Sequence, residues 1–162
     1  MLQITSQPVE NCLFCRKEII GKSFCTTSGF SAIYNIAPIL PGHSLIIPNN
    51  HCESLFELSE DELGEMMVFA RKITAALKTV FKCDGFDWTI QDGVTAGQTV
   101  PHLHLHIIPR KPLDLPESSE WYSKIPENEN QMLDSDHRMR LNIQEYNTIT
   151  AMLAKECKTA KI

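Results

Sequence analysis

An α+β fold, an antiparallel sheet with one long helix and a second helix at the C-terminus, is predicted by three features of the 162-residue sequence. Short runs of β-branched and aromatic residues are separated by turn residues, as in hairpins, rather than by the helical crossovers of a parallel sheet. Residues 60–81 place apolar side chains at helical spacing behind a capping signal. Residues 102–107 alternate strictly between polar and apolar, the period of a strand with two unlike faces.

The elements follow in order. Residues 23–35 form two short runs around Thr27, Ser28 and Gly29, which predicts a hairpin. Pro38, Pro41 and Gly42 mark a turn, and residues 43–48 (HSLIIP) predict a buried strand. Ser59 and Glu62 make a capping box, each serving the free N–H groups at a helix start. Leu63, Met66, Met67, Ala70, Ile73, Leu77 and Phe81 then line one face of a helix over 60–81. A strand is expected over 87–92 and a glycine-bearing loop over 93–99. In the strand expected over 102–108, His102, His104 and His106 share one face, and Leu103, Leu105 and Ile107 the other. Beyond Pro109, residues 111–136 are rich in Pro, Glu, Ser and Asn and predict irregular structure. A final helix over 139–157 carries Ile143, Tyr146, Ile149 and Leu153 on one side. The expected organisation is a core over 1–112, with 113–162 packed on the same domain.

A net charge of -5 argues against a nucleic acid polymer or an anionic membrane as partner. No apolar run approaches the roughly 20 residues that span a bilayer. The first residues, MLQITSQPVENC, lack the basic and apolar stretches of a secretory signal, so a cytoplasmic location is expected. There the six cysteines, at 12, 15, 25, 52, 83 and 157, stay reduced. Cys25, Cys83 and Cys157 read as ordinary thiols, whereas Cys12 and Cys15 form a C-x-x-C pair.

Three histidines in strict alternation, half of the six in the chain, concentrate imidazoles on one strand face. A neutral imidazole is a good nucleophile near pH 7. Alternate strand histidines can also share a zinc ion, and the spacing leaves both uses open.

HLHLHII resembles the H-φ-H-φ-H-φ-φ signature of the histidine triad superfamily, φ being apolar. The likeness extends to Gln91-Asp92-Gly93, to 96–100 (AGQTV), to Pro109-Arg110, to Asn35 and to Pro41-Gly42-His43. The QDG-x-x-AGQTV element is most similar to the fragile histidine triad branch, the dinucleoside polyphosphate hydrolases. The phosphoramidase branch usually carries serine where Gln98 stands.

The resemblance implies a HIT-like fold and a homodimer with a continuous sheet. It implies a hydrolase that splits diadenosine polyphosphates, such as the triphosphate or tetraphosphate, at the α-phosphate to release AMP. His104 is then the nucleophile and forms a covalent nucleotidyl-histidine, and His106 hydrogen-bonds the phosphate oxygens. Gln98 and the backbone of Gly97, Thr99 and Val100 line the phosphate path, Asn35 meets the ribose, and Gln91 lies near the reacting phosphate. His43 is implied to orient His102. Many relatives also carry the cysteine pair, with a structural zinc completed by two histidines, which here are His51 and His102. A divalent cation such as magnesium is expected to accompany the polyphosphate. Two alternatives are a phosphoramidase of the same superfamily and a nucleotide-binding signalling protein with incidental turnover.

Overall fold

The computed structural model describes residues 12–115 and 140–159. Most of the stretch expected to be irregular, and the start of the expected last helix, lie outside the described residues.

The fold is α+β, as the sequence predicts. Five strands form one antiparallel sheet: β1 (Cys25–Thr26), β2 (Phe30–Tyr34), β3 (Ser44–Pro48), β4 (Gly85–Ile90) and β5 (Leu105–Arg110). Their order across the sheet is β1-β2-β3-β5-β4, which leaves β1 and β4 at the edges. The expected hairpin is β1–β2, with Thr26 opposite Ser31. A short helix α1 (Lys17–Ile20) precedes the sheet, the long helix α2 (Glu60–Phe81) lies between β3 and β4, and α3 (Ile143–Thr159) closes the described chain. Helix α2 begins where the capping box places it. The Ser59 N–H donates to Glu62 Oε2 at 2.8 Å, and the Glu62 N–H donates back to Ser59 Oγ at 3.3 Å.

Strand alternation sorts the side chains into two layers. Phe30, Ala32 and Tyr34 of β2, Ile46 of β3, and Leu105 and Ile107 of β5 face α2 and α3. There they pack against Met66, Phe69, Ile73, Leu77 and Leu153. Ile33, Leu45 and Ile47 point the other way and bury Cys12, Phe14 and Cys15. The N-terminal segment therefore covers the sheet face opposite the long helices. Trp88 Nε1–H donates to Thr74 Oγ1 at 3.0 Å, which ties the edge strand β4 to α2.

Several boundaries differ from expectation; helix α3 begins at Ile143 and ends at Thr159 where 139–157 was expected, and residues 140–142 are not helical. Strand β4 spans Gly85–Ile90, two residues earlier than expected. Ladder pairing of β5 begins at Leu105, so His102 and His104 lie in its lead-in rather than inside the strand. The lead-in still alternates, because the Leu103 N–H donates to the Cys52 carbonyl at 2.7 Å while Leu103 sinks into the α2-side core. Before β3 the chain turns at Gly42, whose φ is +96°. A Cβ there would lie 2.6 Å from Pro109 Cγ and 3.0 Å from Phe81 Cδ2, so only glycine fits.

Candidate active site and metal centre

The two histidines expected to do the phosphate chemistry sit side by side, the His104 and His106 ring centroids 4.9 Å apart. His104 is buried, and its Nδ1 lies 2.8 Å from the His102 carbonyl oxygen. A carbonyl can only accept, so Nδ1 carries the proton and the lone pair resides on Nε2. Burial holds His104 below the usual histidine pKa, opposed in part by this hydrogen bond, so the ring stays neutral near pH 7. The edge of Phe14 meets the His104 ring at 5.4 Å and 63°, which fixes its tilt.

His106 is half-buried on β5 opposite Leu45 and Thr89. Its Nδ1 lies 2.9 Å from His43 Nε2. The Ile39 N–H donates to His43 Nδ1 at 3.2 Å, so the His43 proton is on Nε2, which donates to His106. The His106 proton is thereby placed on Nε2. His43 thus orients His106 and not His102, a correction with a simple cause. Strands β3 and β5 are antiparallel, with Ser44 opposite Ile107. The start of β3 meets the end of the triad, and the far end of β3 meets its beginning. Accordingly His102 Nε2–H donates to the Pro48 carbonyl at 3.0 Å.

That bond leaves the His102 Nδ1 lone pair facing two sulfurs, at 3.3 Å from Cys12 Sγ and 3.6 Å from Cys15 Sγ. His51 Nδ1 lies 3.4 Å from Cys15 Sγ. One ligand atom from each of Cys12, Cys15, His51 and His102 falls within 4.8 Å of the others. Tetrahedral zinc with ordinary bond lengths separates neighbouring sulfur and nitrogen ligands by about 3.5 Å, so the donor set fits. Burial draws the His102 pKa down to about 4, which keeps it in the unprotonated form that a metal requires.

The other residues expected at the site make contacts of their own. The Asn35 N–H donates to the His43 carbonyl at 3.0 Å, and its Oδ1 accepts from the Ala37 N–H at 2.9 Å. Gln91, just past β4, packs against Gly97, where a Cβ would lie 2.8 Å from Gln91 Nε2 and φ is +90°. Gln98 braces its own loop, its Oε1 accepting from the Gly93 N–H at 2.7 Å and its Nε2 donating to the Glu53 carbonyl at 2.8 Å. The Gly97 and Gln98 N–H groups bond to the Val94 and Gly93 carbonyls, so the turn uses them internally.

A family model described as the HIT domain matches residues 16–113. The chain belongs to the HIT domain family. It is 40% identical over 116 residues to a bis(5'-nucleosyl)-tetraphosphatase of Schizosaccharomyces pombe, the match covering 72% of this chain and 64% of that protein. It is 31% identical to a bifunctional bis(5'-adenosyl)-triphosphatase/adenylylsulfatase of Arabidopsis thaliana, over 89% of this chain and 91% of that one. Both relatives are named as nucleotide hydrolases. Among solved structures, a Zn-bound histidine triad family protein of Mycobacterium smegmatis shares the fold at TM-score 0.69 and 24% identity, over 93% of this chain and 98% of that one.

Two residues of this HIT chain bear on these groups although sequence reasoning gave them no role. Phe14, inside the C-x-x-C pair, touches both His102 and His104 by ring edge. Asp92 Oδ2 accepts from Ser54 Oγ–H and the Leu55 N–H at 3.0 and 2.8 Å, holding the turn after His51 against the Gln91 loop. The aromatic between the cysteines was a usable signal; the Asp92 contact, across 38 positions, was not.

Proposed function

We propose that this HIT protein hydrolyses dinucleoside polyphosphates, such as diadenosine triphosphate or tetraphosphate, at the α-phosphate and releases AMP. The observation that carries the reading is the His104 Nδ1 bond to the His102 carbonyl, which fixes a neutral imidazole with its lone pair on Nε2. His104 Nε2 attacks the α-phosphorus, a P–N bond forms, and the P–O bond to the rest of the polyphosphate breaks with its electron pair. Water then attacks the same phosphorus, breaks the P–N bond and returns the electron pair to Nε2. His106 Nε2–H, set by His43, stabilises the phosphate oxygens through both displacements. Thr99 and Val100 supply backbone contacts to the phosphates, Asn35 holds the ribose, and Gln91 and Gln98 shape the phosphate path.

Zinc held by Cys12, Cys15, His51 and His102 supplies structural cross-linking and leaves the phosphate chemistry to the other two triad members. A divalent cation such as magnesium travels with the polyphosphate, bound by its oxygens. We place the protein in the cytoplasm as a homodimer joined through an edge of the sheet. Strand β4, an edge with Phe86 44% exposed, supports that arrangement, and light scattering at twice the chain mass tests it. Among the described residues, no helix is long and apolar enough to cross a membrane.

A substrate made chiral at the α-phosphate tests the mechanism. Two displacements at one phosphorus retain configuration, whereas a single attack by water inverts it. Retention with AMP as product is expected; inversion rejects the covalent path. Release of AMP faster from an AMP–amine conjugate than from either dinucleotide rejects the substrate class.

A further inference from the structure

Residues 51–55 form one consecutive run, and each reaches a different part of the site. His51 Nδ1 faces Cys15 Sγ in the metal donor set. The Cys52 carbonyl accepts from the Leu103 N–H at 2.7 Å, between His102 and His104. The Glu53 carbonyl accepts from Gln98 Nε2–H at 2.8 Å. Ser54 Oγ–H and the Leu55 N–H both donate to Asp92 Oδ2, at 3.0 and 2.8 Å. The run is itself stiffened, because Glu57 Oε1 accepts from the Glu53 and Ser54 N–H groups at 2.9 and 3.0 Å.

Across from this run, the loop 93–98 is closed on itself. Gln98 Oε1 accepts from the Gly93 N–H at 2.7 Å, and the Ala96 and Gln98 N–H groups both donate to the Gly93 carbonyl. Both ends of the Gln98 amide are therefore committed to bracing. The next two residues differ. Among the described residues, the N–H groups of Thr99 and Val100 have no hydrogen-bond partner. Successive backbone N–H groups left open after a fixed turn suit an anion.

We infer that Asp92 is a positioning residue for the polyphosphate: it locks the 93–98 loop to the 51–55 run and so aims the Thr99 and Val100 N–H groups at the phosphate oxygens. The inference rests on the phosphate path proposed above for Thr99 and Val100. Asp92 acts through the loop rather than on the phosphate, since a carboxylate repels an anion at close range. Its charge is met instead by two donors from the 51–55 run, and such charge-assisted bonds are the strong ones. Without them, the Gln98 amide is the only hydrogen bond among the described residues that joins 51–55 to 91–98. A loop held at one point lets its donors drift, and a misplacement of about 1 Å costs up to about 10²-fold.

Titration calorimetry on the full chain, supplied with zinc, tests this with two probes. One is diadenosine triphosphate with methylene groups in place of its bridging oxygens, which cannot be cleaved. The other is adenosine, which carries no phosphate. Asp92→Ala should weaken binding of the methylene analogue by about 10-fold or more, while adenosine changes by less than about 2-fold. Asp92→Asn, whose amide oxygen can accept both bonds, should recover most of the loss. Ser54→Ala removes one of the two bonds and should give a smaller loss of the same kind; it decides the matter should Asp92→Ala fail to fold. Unchanged affinity for the analogue overturns the inference, as does a parallel weakening of both probes. Failure of the wild-type chain to bind the analogue overturns the substrate reading instead. Amide hydrogen exchange then tests the lock alone, faster over 93–100 in Asp92→Ala if Asp92 holds the loop and unchanged if it does not.

Discussion

The role proposed for His104 rests on one backbone carbonyl. The Nδ1–H bond to His102 costs no side chain and fixes both tautomer and ring plane. Replacing His104 with Asn keeps the volume and one polar contact but removes the nitrogen at Nε2. We expect kcat to fall by at least about 10³-fold with substrate binding retained, read by single-turnover kinetics and by titration calorimetry. Near-normal turnover rejects His104 as nucleophile. His43 works one step further back, through His106. His43→Ala removes the N–H that sets the His106 tautomer, so kcat should drop about 10–100-fold while KM changes little, by analogy with outer-sphere partners of catalytic histidines. A rise in KM at unchanged kcat assigns His43 to binding instead. The histidine alternation was legible in the sequence because side-chain direction along an extended chain depends only on position parity. The partner of His43 was not, because that depends on which strands pair and in what register.

At the scale of elements, local signals and long-range ones separate cleanly. Helix α2 starts and stops where its capping box and apolar stripe place it, since both are contained within one stretch of chain. Ser59→Ala removes the cap at a cost of about 1 kcal/mol, visible as a lower Tm with unchanged activity. Strand limits were less legible. Strand β4 gains Gly85 and Phe86 because Arg110 and Pro109 of β5 extend far enough to pair with them, a fact outside the strand's own sequence. The turn before β3 joins the two kinds of information. Gly42 combines a positive φ with contacts to Pro109 and Phe81 from distant elements. Gly42→Ala should cost about 1–3 kcal/mol from backbone strain. It should also lower activity, since His43 is the next residue. A Gly42→Ala variant with wild-type Tm and turnover contradicts the tight turn.

For the whole molecule, the sheet is the partition. Its α2 face is an ordinary apolar core, while its other face carries the histidines and is roofed by the N-terminal segment. Phe14 belongs to that roof and touches His104, the proposed nucleophile, so loss of a metal from the proposed centre should be felt at His104. We expect about one zinc per chain by elemental analysis. Chelation should lower Tm because metal binding contributes folding free energy. Cys12→Ser should lose the metal and the Tm increment together, and turnover should fall by less than it does for His104→Asn. Metal-free protein with unchanged Tm leaves the cysteine pair without a structural task.

Cys12 meets His102 across 90 positions of sequence, which sets an order of events during synthesis. At about 5–20 residues per second, the growing chain carries its cysteine pair for on the order of 5–20 s before the closing histidine is made. The two cysteines of the donor set are thus made well before the site can close. During that interval the two thiols are an open chelate, exposed to whichever thiophilic ion the surroundings offer. Because copper outcompetes zinc at such ligands, the identity of an ion held at the proposed metal site would depend on supply during translation as well as on the geometry of the finished site.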